Sequence, residues 1–129
     1  MESVVVIAPR VYDDEFKARL ADHPSLAEAA PENVVVLDNG ETRIYVAHNE
    51  YAVQEMEPEA VQHIKNLVDE PVFYVVDFSD IDFCKSVLAL LVDDPLLLVD
   101  NDHGVFLPGP EFVRLLHERP DWDWRRDRV

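Results

Sequence analysis

The chain has 129 residues, 48% of them hydrophobic and 29% charged, which is enough for one domain to bury roughly two-thirds of its extended surface and too apolar for a disordered segment. Lys and Arg number 11 against 27 Asp and Glu, a net charge of −16, so a phosphate backbone would be repelled and nucleic acid is excluded as a partner class. Cys84 stands alone, which excludes an internal disulfide framework and a cysteine-only zinc site. No apolar run approaches a membrane span or a secretory leader, so the expectation is a cytoplasmic protein without membrane contact.

Ser3 to Ala8 (SVVVIA) is a β-branched run closed by Pro9 and predicts a strand inside a sheet. Phe16, Leu20 and Ala21 recur at helical spacing behind Asp13 and Asp14, whose carboxylates suit the cap and positive end of a short helix that His23-Pro24 stops. Leu26 to Glu32, Ala-rich and bracketed by prolines, reads as a connector or one helical turn. Asn33 to Leu37 and Thr42 to His48 flank Asp38-Asn39-Gly40-Glu41, and Asn-Gly between two strand-like runs predicts a hairpin. Ile44 and Val46 then share one face of the second strand, and Arg43, Tyr45 and Ala47 the other.

Pro58 suits a first helical turn, and Val61, Ile64, Leu67 and Val68 follow as one apolar stripe to about Asp69. Val72 to Phe78 (VFYVVDF) is apolar enough for a central strand. Ser79-Asp80-Ile81-Asp82 carries a capping pattern with Ser79 as cap, ahead of an apolar helix through Phe83, Val87, Leu88, Leu90 and Leu91. Leu96 to Val99 and Val105 to Leu107 flank Asp100-Asn101-Asp102-His103-Gly104 as a second hairpin. Phe112, Val113, Leu115 and Leu116 then form a short helix that ends before Pro120. The expected fold is a single α+β domain over residues 1–129, with a mixed or antiparallel sheet, helices packed on it, and 120–129 as a Trp- and Arg-rich tail.

The densest polar cluster, Asp100 to Gly104, departs from a calcium loop: the fifth position is Gly104 instead of a ligand and the sixth is Val105 instead of glycine. Side-chain caps and a positive-φ glycine in a tight turn account for it, and such a turn would present carboxylates to a partner. Asp77, Asp80, Asp82, Asp93 and Asp94 gather at the ends of one predicted helix. Caps explain Asp80 and Asp82, whereas Asp93 and Asp94 sit where the helix dipole disfavours anions, which slightly favours interaction, though Asp-Asp-Pro is also common turn chemistry. The five histidines form no zinc motif, Cys84 reads as a buried apolar residue, and Gly40, Gly104 and Gly109 each read as turn residues. Trp122 and Trp124 either pin the tail to the body or anchor a partner. No metal, cofactor or catalytic residue is assigned.

Between Leu20 and Val113, Arg43, Lys65 and Lys85 stand against nineteen carboxylates from Asp22 to Glu111, so the whole net charge lies there and the two ends together are neutral. A field this lopsided accelerates encounter with a basic protein, although a solvated surface tuned for solubility has the same composition. The segment LVDNDHGVFLPGPEFVRLLHERPDWDW, Leu98 to Trp124, resembles small bacterial immunity proteins of polymorphic or contact-delivered toxin systems. The resemblance covers under half of the chain and carries no binding residues across. It implies a stoichiometric binding protein, not an enzyme, whose acidic surface occludes the active site of a basic, nuclease-like toxin. The candidate contact residues are Asp93, Asp94, Asp100 and Asp102, with Glu55, Glu57 and Glu59 behind them and Trp122 and Trp124 as anchors. The alternatives are a homo-oligomeric subunit that uses the Ile81–Val92 helix as a dimer face, and a small carboxylate-dependent enzyme.

Overall fold

A computed structural model describes residues 2–30, 34–49 and 52–126. Strands β1 (Glu2–Pro9), β2 (Leu26–Ala30), β3 (Val34–Asp38), β4 (Arg43–His48), β5 (Pro71–Phe78), β6 (Leu98–Asp100) and β7 (Phe106–Pro108) form one sheet in the order β2-β3-β4-β5-β1-β6-β7. Every neighbouring pair is antiparallel. The helices are α1 (Asp13–Ala21), α2 (Pro58–Leu67), α3 (Ile81–Leu91) and α4 (Gly109–Glu118). This is the expected α+β class with an antiparallel sheet and helices packed on it, and both expected hairpins form, β3–β4 and β6–β7.

The alternation of each strand separates two cores. Val4, Val6 and Ala8 of β1, Leu37 of β3, Ile44 and Val46 of β4, and Val72, Tyr74, Val76 and Phe78 of β5 meet Phe16 and Leu20 of α1 together with the buried faces of α3 and α4. On the other side Ile7, Phe73 and Leu98 meet Ile64 of α2 and Val68, the residue that follows the helix. β1 and β5 therefore have apolar partners on both faces, which is why their sequences read as unbroken runs instead of alternating ones.

Three local expectations are corrected. Leu26–Ala30 is an edge strand paired with β3, not a connector or helical turn. Pairing with the Val-rich strand overrides the helical preference of alanine, while Glu32 lies outside the described residues. The cap of α3 is Asp80, not Ser79: its Oδ1 accepts from Asp82 N at 2.9 Å and Phe83 N at 3.1 Å. Asp13 and Asp14 lie inside the first turn of α1 behind Tyr12, which makes no side-chain cap, so neither caps the helix: they favour it through its dipole, and Asp13 also pairs with Lys17 at 3.0 Å.

Gly40 and Gly104 have φ of +93° and +90° and serve turns as expected. Gly109 does not. It opens α4 with its backbone pressed on the end of α3, where an added Cβ would lie 1.8 Å from the Val92 carbonyl oxygen, and its N–H donates to Leu97 O at 2.8 Å.

Candidate functional site: an acidic cleft beside the second helix

The sheet face under α2 is only partly covered. Next to the helix lies a cavity of about 480 Å³ lined by Ser3, Val5, Asn49, Glu55, Met56, Glu57, Ala60, Val75, Asp100 and Asp102. Period-two geometry places the floor: Ser3 and Val5 share the face of β1 that carries Ile7, and Val75 shares the face of β5 that carries Phe73. One wall is the passage from the 3-10 turn Ala52–Glu55 into α2, which contributes Glu55, Met56, Glu57 and Ala60. The opposite wall is the β6–β7 turn. Asp100 falls on the same face as Leu98, and Asp102 follows in the left-handed conformation at φ 62°.

That turn is held from inside. Asn101 is fully buried and its Oδ1 accepts from His103 N at 2.8 Å and Val105 N at 3.1 Å, while Asp102 N donates to Asp100 Oδ1 at 2.8 Å. The Asp-Asn-Gly chemistry thus serves the turn, and the same turn turns two carboxylates onto the cleft. Burial pushes the Asp100 carboxyl above its usual range; the Asp102 N–H opposes this and the Asp102 charge adds to it. None of the described lining residues is Lys, Arg or His, so among the described residues Asp100 is a desolvated acid with no counter-charge in the cleft.

The nine candidate contact residues are divided by the fold. Glu55, Glu57, Asp100 and Asp102, distant in sequence, line one cavity. Glu59 is exposed on the first turn of α2 outside the lining, and Asp93 is exposed beyond α3, in the layer on the other side of the sheet. Asp94 is already engaged within the chain. Tyr12 OH donates to its Oδ2 at 2.7 Å, Arg19 pairs with it at 3.1 Å, and Leu96 N donates to its Oδ1 at 2.8 Å. Burial alone would raise Asp94, but these donors hold it below the usual carboxylate range, and Tyr12 is in turn pushed up to about 12 by burial and by this hydrogen bond.

Trp122 and Trp124 are packed into the body of the protein. Each is 3% exposed, and their rings meet each other at 5.3 Å, with Trp124 edge-on to Phe78 at 5.8 Å and to Phe112 at 5.9 Å. Two rings of this size lose more water-exposed area on the α3–α4 layer than a short tail could gain by leaving them outside. The reading that they pin the tail is the one the packing supports. Lys85, which the sequence reading passed over, completes the attachment: nine-tenths buried, it donates to Pro120 O at 2.6 Å and Trp122 O at 2.9 Å. A lone lysine inside an otherwise apolar helix was the available signal.

Asp77 and Asp80 have structural partners. Ser3 Oγ donates to Asp77 at the edge of the cleft, and Asp80 caps α3. Cys84 is buried, as expected, and its thiol is pushed up by burial, so it is unreactive. Among the described residues no group of three His, Cys, Asp or Glu side chains comes together in a way that could hold a metal ion. No helix among them is long and apolar enough to cross a membrane.

A charge without a counter-ion makes a stability prediction. Because the folded Asp100 carboxyl is raised, its ionised form costs the fold stability above that raised value, and the cost disappears as pH falls below the ordinary carboxylate range. Asp100→Asn keeps the oxygen that accepts from Asp102 N and removes the charge. The variant should melt above the parent at neutral pH in scanning calorimetry, with the difference shrinking as pH falls toward 4. A lower melting temperature at pH 7 would show that the carboxylate is compensated in the free protein.

Comparison of the chain with protein-family models, with curated proteins and with solved structures finds no significant match.

Proposed function

We propose that the protein is a stoichiometric binder of a basic protein, in the manner of an immunity protein, with the cleft as its contact surface and occlusion of the partner's active site as its mechanism. The observation that supports this reading is the convergence of Glu55, Glu57, Asp100 and Asp102 on one concavity that has apolar floor residues and, among the described residues, no basic lining residue. An arginine or lysine from a partner can lay its aliphatic stem on Val5, Val75 and Met56 and bring its charge among the carboxylates. The carboxylate cost carried by the free protein is relieved on binding, and the −16 charge steers the encounter. Against a dimer built on α3, the apolar residues Phe83, Val87, Leu88 and Leu91 of that helix are taken up by the protein's own core. Two copies of so acidic a chain also repel.

Affinity capture at low and high salt from cells that express candidate partners identifies the partner, and binding kinetics with the purified pair test the surface. Asp100→Lys with Asp102→Lys should slow association about tenfold or more and flatten its salt dependence. Asp93→Lys, in the other layer, should leave it within a factor of about two, as a rim charge outside the contact does. The opposite ranking removes the cleft from the reading, and a partner that binds without inhibition of its activity removes occlusion.

A further inference from the structure

The Asn39–Gly40 turn joins β3 to β4 and takes no part in the cleft. Its hydrogen bonds arrange three groups around a single reaction. Gly40 N donates to Asp38 Oδ1 at 2.6 Å, which sets a carboxylate on the N–H of the residue that follows an asparagine. The Asn39 side-chain carbonyl oxygen accepts from Glu41 N at 2.9 Å and Thr42 N at 2.8 Å. Arg43 Nε donates to the other Asp38 oxygen at 3.0 Å and fixes the orientation of the carboxylate. Asn39, Gly40 and Glu41 are exposed, and the space beside the Gly40 Cα is empty. A nucleophile with a base on its proton, next to an electrophilic carbonyl with two donors on its oxygen, is the arrangement that acyl transfer needs.

We propose that this turn is a self-modification site, at which Asn39 is converted to aspartate and isoaspartate through a cyclic imide. Asp38 takes the proton from Gly40 N as the nitrogen bonds to Asn39 Cγ, and the carbonyl electron pair moves to Oδ1. The N–H groups of Glu41 and Thr42 hold that oxyanion. Its collapse restores the carbonyl and breaks the Cγ–Nδ2 bond, and the proton passes from Asp38 to the leaving nitrogen, which departs as ammonia. Water then opens the ring: addition at Cγ gives aspartate, and addition at the main-chain carbonyl gives isoaspartate, with the peptide link now running through Cγ. No oxidant or reductant is required. The backbone hydrogen bond from Gly40, then Arg43, holds the Asp38 carboxyl below its usual range, so it is ionised at neutral pH. Each event adds a negative charge to the hairpin, and the isoaspartate product adds a methylene to the main chain where the β3–β4 register is set.

The test compares the full-length folded protein with the same chain unfolded in urea, incubated at neutral pH and followed by peptide mapping and isoaspartate-specific methyl transfer. The folded chain should modify Asn39 at least as fast as the unfolded one. Asp38→Ala should slow the folded chain roughly tenfold or more, as loss of a positioned base does, and leave the unfolded chain within a factor of about two. Circular dichroism confirms that the variant is folded. A folded chain slower than the unfolded one overturns the proposal, because the same hydrogen bonds would then be locking the amide away from Gly40. Equal slowing in both states removes Asp38 as the base.

Discussion

Gly109→Ala is expected to lower stability by about 3 kcal/mol or more, the range in which a core has to move its backbone to admit an atom. Helix propensity alone gives the opposite sign, since alanine is favoured over glycine by up to about 1 kcal/mol in a helix. The contact decides. The new methyl carbon would stand 1.8 Å from Val92 O and 2.9 Å from Asp94 O, both main-chain atoms with no rotamer to escape into. Relief requires α4 to lift from the end of α3, and the Gly109 N–H would lose its 2.8 Å hydrogen bond to Leu97 O. Phe112, Val113 and Leu116 would move with the helix, out of the larger core. Urea denaturation checks this, with a lower midpoint at unchanged slope. Gly104→Ala is the internal control: its φ of +90° imposes strain but the space is open, so about 1 kcal/mol is expected. If Gly109→Ala costs less than Gly104→Ala, the close approach of the helices is wrong.

The pattern of residues carried the elements well, because burial in this fold follows strand and helix periodicity. Asn39-Gly40 fixed one hairpin and the Asp100–Gly104 cluster the other, each through the side-chain caps and positive φ that tight turns need. Leu26–Ala30 was misread because an edge strand is made by its neighbour: nothing within LAEAA prefers extension until β3 lies beside it. The cleft was legible only as separate acids. Glu55, Glu57, Asp100 and Asp102 were each selected by charge, but their meeting depends on β1 running between β5 and β6, a long-range pairing that local periodicity does not encode. Ser3, Val5 and Val75 were missed for the same reason, since their shared face becomes a floor only once the strand order is known. The internal partners of Asp94 and the tryptophans were not legible either: a carboxylate at a helix end and an aromatic pair near a terminus look available until Tyr12, Arg19 and the α3–α4 layer are placed against them.

Trp124→Ala should cost about 4 kcal/mol, within the range for loss of a large buried aromatic. The ring fills the junction between the sheet and α4, in contact with Phe78, Phe112 and Trp122, so truncation leaves a cavity that three other aromatic rings cannot all close. Its indole nitrogen is buried and has no hydrogen-bond partner among the described residues, and Trp124→Phe should therefore lose little beyond volume and cost less than half as much. The pair of variants separates packing from polar anchoring: equal losses would point to the indole N–H. The tail is also held by Lys85 on Pro120 O and Trp122 O, and by Arg125, whose Nη1 donates to Ser79 O at 3.1 Å and whose remaining N–H groups hold the Asp123 carboxyl down at about 2. These contacts and the ring pack the same few residues, so Lys85→Met combined with Trp124→Ala should be less damaging than the separate losses added together. Once the ring is gone, the carbonyls reached by Lys85 are free to meet water. In Lys85→Met alone, which keeps both tryptophans, their near-ultraviolet circular dichroism reports loosening of the tail directly, because the 5.3 Å ring contact is coupled to tail attachment. For partner binding, Trp124→Phe should be neutral while Asp100→Lys is not, since the rings lie in the core on the far side of the sheet from the cleft. Loss of affinity in Trp124→Phe at unchanged stability would return the tail to the contact surface.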